Sequence, residues 1–84
     1  MNAPSRFLAI AIEIANTRNK RKQLSLINKI GETYGHKTVE CILEQAQKAL
    51  GLYATDPTLR AICTKSQLTS LEEMLLITLK YQTN

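Results

Sequence analysis

An 84-residue chain with eleven basic and seven acidic side chains, a net of +4, has room for one domain, spanning 1–84, and none for a second. Two cysteines and a single histidine, with no CxxC or HxxxH spacing, make neither a zinc-type ligand set nor a secreted disulfide framework, so no metal and no cofactor is expected. No stretch is long enough to span a bilayer. The apolar run 7–15 is short, broken by Glu13, and followed by bases rather than a small-residue cleavage site, so the chain is expected in the cytoplasm, away from membranes. A mitochondrial presequence fits the acid-poor start less well, because the pattern runs on into a structured domain.

Leu8, Ile10, Ile12 and Ile14 alternate with Ala9, Ala11 and Glu13, which fits a strand as well as a helix. A strand here would pair across a turn at Asn16–Asn19 with Leu24 and Leu26, giving a β-hairpin on three helices. Alanine is a strong helix former and a weak strand former, and no other segment completes a sheet, so a first helix over 7–15 is expected. A second helix runs from Lys20 or Lys22 to Tyr34, with Leu24, Ile27 and Ile30–Gly31 inward and the Tyr34-Gly35-His36 step as its exit.

The clearest periodicity lies in Thr38–Leu50. Val39, Ile42, Leu43, Ala46, Ala49 and Leu50 share one stripe, and Glu44 precedes Lys48 at the favourable four-residue spacing. Gly51 then has the position of a left-handed C-cap. Asp56-Pro57 is a helix start, with Leu59, Ile62 and Cys63 inward and an end near Lys65. The last helix begins around Ser66–Ser70, where Ser70 with Glu73, or Thr69 with Glu72, has capping-box spacing. It continues through Leu71, Met74, Leu75, Leu76, Ile77 and Leu79 to Tyr81. The expected fold is all-α, a compact bundle of about five short helices. Cys41 and Cys63 both fall in apolar stripes, where a reduced thiol packs as a small hydrophobe; one disulfide between them is the other option.

Charge is the least uniform feature. Residues 1–37 hold seven bases against two acids, a net of +5, whereas 38–84 hold four against five, a net of −1. Arg18, Lys20, Arg21 and Lys22 fall within five positions with no acid among them. Arginine grips phosphate bidentately, lysine attracts it as a point charge, and the neighbouring Asn16, Thr17, Asn19 and Gln23 add neutral hydrogen bonds. Lys29 and Lys37 are candidates to extend this basic stripe. The block contains no aromatic, so it suggests backbone contact rather than stacking or base readout.

Three other readings are weaker. In a helix-turn-helix reading of Leu24–Leu43, Gly35 comes too close ahead of Val39, and the reading helix would expose Glu40 and Glu44. Glu40/Glu44 and Glu72/Glu73 are explained by helix-face pairing and capping, and there is no triad or Gly-rich phosphate loop, so no enzyme is expected. Tyr34, Tyr53 and Tyr81 are expected as half-buried anchors.

Helix one is apolar on nearly every side, and helix five over most of its circumference. A bundle this small has room for one central helix, so Phe7, Ile10, Ile14, Leu76, Leu79 and Tyr81 are candidates for contact with another copy or a larger partner. This tiny, basic, helical chain resembles the small helical subunits of CRISPR RNA-guided effector complexes (Cascade-like) in general character, with no diagnostic motif. Those subunits line their complex as a filament and meet guide–target duplex or displaced strand through basic residues. The resemblance implies RNA or DNA backbone binding inside an antiviral-defence assembly, and no family residue is carried over. A protein–protein adaptor docking an acidic partner is the alternative, and a dimeric DNA-binding regulator the third reading.

Overall fold

The computed structural model describes residues 5–81 and contains five helices: α1 (Arg6–Ala15), α2 (Lys20–Tyr34), α3 (His36–Leu52), α4 (Pro57–Ile62) and α5 (Lys65–Tyr81). The first segment is helical, with the Ser5 hydroxyl accepting from Phe7 N at its start, and the hairpin alternative is set aside. Ala11 and Ala15 show why. They are buried against the core, where their small side chains let another helix come close, a role no alternating strand face would give them.

The central element is α3. It packs against α1, α2 and α5, and its row Val39, Ile42, Ala46 and Ala49 is buried, with Leu43 and Leu50 at the margin. Leu68, Leu71 and Leu75 of α5, Ile14 of α1 and Ile27 of α2 complete a single core. Around α3 the molecule is a slab of 38 × 28 × 17 Å, so its outer helices bury one side only.

Several boundaries and faces differ from expectation. Gly51 is not a cap: α3 runs on to Leu52, and Tyr53 ends it in right-handed conformation, so no left-handed residue is required. The glycine with positive φ is Gly35, at φ 97° and ψ 166°, a region essentially closed to residues with a Cβ. It lets α2 turn directly into α3.

The α5 capping box is Thr64–Gln67. Gln67 N donates to Thr64 Oγ1 at 3.1 Å, and Thr64 N donates to Gln67 Oε1 at 2.7 Å. Thr69, Ser70, Glu72 and Glu73 lie inside the helix, so capping does not explain the two glutamates. The pattern Thr-x-x-Gln is present in the sequence five residues upstream of Thr69–Glu72 and six upstream of Ser70–Glu73.

On α2 the buried row is Gln23 and Ile27, rotated from the expected Leu24, which is 42% exposed. The rotation follows from a hydrogen bond: Gln23 Nε2 donates to Ile14 O at 2.8 Å in a buried setting. On α4, Ile62 is exposed while Leu59 and Cys63 are buried. Both cysteines are free thiols; Cys63 is buried, Cys41 only in part, and burial pushes the Cys63 thiol pKa up.

Candidate nucleic-acid interface

The α1–α2 corner is built from hydrogen bonds that finish α1. A helix end leaves its last carbonyls without intrahelical partners. Here Asn16 N donates to Ile12 O at 2.9 Å, Thr17 Oγ1 to Glu13 O at 3.0 Å, and Thr17 N to Ile14 O at 3.0 Å. Gln23 reaches back from α2 to the same Ile14 carbonyl. Asn16 Nδ2 also donates to Ile62 O at 2.9 Å, fastening the corner to the end of α4. The neutral residues of the block therefore serve the fold, and the cations are left to face outward.

Asn19 starts α2, its side-chain oxygen accepting from Arg21 N at 2.8 Å and Lys22 N at 3.2 Å. The first turn then carries Lys20, Arg21 and Lys22, at the helix end whose own partial charge is positive. This placement opposes the dipole. Arg18, Lys20, Arg21, Lys22 and Lys29 are all exposed, and none makes an ion pair or side-chain hydrogen bond with a described residue. Arg60 shows the contrast, with Nη1 donating to Tyr53 O at 3.0 Å and Ala54 O at 2.6 Å.

Lys29 follows Lys22 by seven residues, two turns along the same side of α2, or about 10 Å. Between the ridges 21–25–29 and 24–28–32 runs a shallow trough of about 510 Å³, lined by Arg21, Leu24, Ser25, Asn28, Lys29 and Glu32. Two cations and two neutral polar side chains can meet phosphate oxygens there, and Glu32 closes the far end with negative charge. Ser25 and Asn28 were not singled out from sequence; their four-residue spacing from Arg21 and Leu24 was the available signal. Lys37 is exposed on the first turn of α3, so the length of α2, about 21 Å, separates it from the corner.

The six residues expected to meet a partner divide. Ile14 is 2% exposed and belongs to the core, because α1 turns that side onto α3 and α5; it is not available to a partner. Phe7, Ile10 and Leu79 are half-buried against the same core. Leu76 and Tyr81 are exposed, and Ile77 joins them on the outer side of α5. Most of the apolar surplus of α1 is thus absorbed within the molecule, and α5 retains its own.

Of the three tyrosines, only Tyr53 is a half-buried anchor, its hydroxyl donating to Cys63 O at 2.7 Å; Tyr34 and Tyr81 are exposed. His36 lies 3.5 Å from the Glu40 carboxylate one turn on. Among the described residues no three metal-ligating side chains lie together, and no helix is long and apolar enough to cross a membrane.

No protein-family model, curated protein or solved structure matches the chain.

Proposed function

We propose that the protein is a non-catalytic, cytoplasmic subunit that holds nucleic-acid backbone at the α1–α2 corner without reading bases. One observation carries this reading: Arg18, Lys20, Arg21 and Lys22 stand exposed at a hydrogen-bonded corner, with Lys29 two turns along α2, and none of the five forms an ion pair with a carboxylate among the described residues. Hydrogen bonds of Asn16, Thr17, Asn19 and Gln23 hold the corner's backbone, so the cations project from an ordered frame and binding need order their side chains alone. The exposed Leu76, Ile77 and Tyr81 of α5 supply an apolar face for packing inside a larger nucleoprotein assembly, of the kind that the small subunits of CRISPR effector complexes join.

The reading is tested with random single- and double-stranded DNA and RNA oligomers across a salt series. Five phosphate contacts predict slopes of log K against log salt of about −4.5 for duplex and about −3.5 for single strands. Changing Arg18, Lys20, Arg21 and Lys22 to Glu should abolish binding while circular dichroism keeps its helical signal. Absence of binding at low salt overturns the reading and favours an adaptor whose corner docks an acidic protein. A dimeric DNA reader is favoured least, since its reading helix would be α3, which is packed on three sides and carries Glu40 and Glu44 outward.

A further inference from the structure

At the other end of α2 from the basic corner is a second concave site. Arg6, Phe7 and Ile10 from the start of α1, Tyr34 from the end of α2 and Thr38 from the start of α3 frame a cleft of about 320 Å³. Tyr34 continues the row of Gln23, Ile27 and Ile30 that α2 turns toward the core, yet it is 70% exposed. It lies on the last residue of the helix, and Gly35 then turns the chain away, so the ring projects past the core edge. Phe7 and Ile10 are half-buried with their inner sides on the core, leaving an apolar floor.

We propose that this cleft holds one unpaired base of a single nucleic-acid strand, stacked on Tyr34, with the adjoining phosphate on Arg6. The inference rests on the nucleic-acid reading above and extends it. Among the described residues its lining contains the rings of Phe7 and Tyr34, one aliphatic side chain, the Tyr34 and Thr38 hydroxyls and one cation, and no carboxylate. Such a set is complementary to a flat, weakly polar ring carrying an anion beside it, as a nucleotide does. The volume lies at the small end of the range for ligand pockets, about 300–1,000 Å³, and suits a single base better than a helix from another protein. Lys37, on the same turn of α3 as Thr38, adds positive charge at this end of the molecule.

A strand gripped at the corner need cover only about 21 Å to reach the cleft, or about six nucleotides at a stacked spacing of roughly 3.4 Å. Stacking on tyrosine is indifferent to which base is present, so this site adds affinity for single strands without sequence readout.

The test uses the full chain and a single-stranded oligomer of about 12 nucleotides, within the range of single-strand binding sites, carrying 2-aminopurine, whose fluorescence is quenched on stacking. Wild type and Tyr34→Phe should quench it. Tyr34→Ala should not, and should weaken binding roughly 5- to 150-fold, the range for losing one base–aromatic stack. Arg6→Gln should reduce the magnitude of the salt slope by about 0.7. Because Tyr34 is exposed, Tyr34→Ala is expected to keep its helical content and melting midpoint.

Tight, salt-dependent binding that Tyr34→Ala leaves unchanged, with no quenching, overturns the cleft and leaves the corner reading standing. Failure of every oligomer to bind at low salt overturns both. Equal binding of free 2-aminopurine riboside monophosphate makes this a free-nucleotide site and overturns the strand as occupant. A wild-type dimer in light scattering that Tyr34→Ala dissociates, without any change in fluorescence, gives the cleft to a second copy and overturns the proposal.

Discussion

α2 and α3 are neighbours of similar length, 15 and 17 residues, joined through one glycine, and they do opposite work. Four apolar residues of α3 are buried, and three other helices pack on it; α2 buries one isoleucine and one glutamine, rests Ile30 half-buried on the core and exposes most of the others. On α3 His36 lies against Glu40, while Glu44 and Lys48 form no ion pair despite their spacing, and the cations of α2 likewise have no partner among the described residues. A small domain cannot make every helix central, so it concentrates stability in one and leaves the next free to present a surface.

The comparison is broken most severely inside α3. Ile42→Ala should lower unfolding free energy by about 2–5 kcal/mol in urea titration, since a side chain enclosed by several helices leaves a cavity that cannot collapse. Ile27→Ala on α2 should fall at the lower end of that range, because the open side of α2 lets the helix settle inward. Equal losses at both positions would erase the distinction between scaffold and presenting helix.

The joint between them comes next. Gly35→Ala forces a Cβ into a backbone region essentially reserved for glycine and should cost about 1–3 kcal/mol, read from the same titration. No atom lies within 4 Å of the added methyl, so the loss would be conformational rather than a clash. Gly51→Ala, in a helical and open position, should instead be neutral or slightly stabilising.

The effect expected at the basic corner has the opposite sign. Replacing Lys20, Arg21 and Lys22 together by Glu removes cations from the positive end of the α2 dipole and should raise stability by about 0.3–1 kcal/mol per residue at low salt. The same substitution should abolish oligomer binding. Gain of stability with loss of binding would mark these charges as retained for a partner; loss of stability would mark them as structural.

How much of this could be read in the sequence depended on the kind of signal. The α3 stripe and the Asp56-Pro57 start were legible because periodicity and capping are local, carried by residues three or four apart. The Leu24 face of α2 was misassigned for a non-local reason: hydrophobicity ranks Leu24 above Gln23, but the α1 carbonyl at Ile14 that makes burying a glutamine favourable comes from another helix. Ile62 and Ile14 exchanged expected roles for the same reason, since helical spacing allows several faces and only neighbours choose among them. The basic cluster was visible as composition. Its presentation depended on Asn16 and Thr17 being drawn into helix-end hydrogen bonds, and the Arg6–Tyr34 cleft joins residues 28 apart.

By itself the sequence determined an all-helical chain of about five segments, the Asp56-Pro57 start and the Gly35 exit among their ends, and a positive first half, because each is written in short-range periodicity, backbone propensity or formal charge. Tertiary structure decided which helix is central, which side of α2 is buried, that Gly35 rather than Gly51 makes the special turn, and which apolar residues remain for others. Those outcomes depend on where separate helices cross, and burial is a property of the assembled set rather than of any one helix.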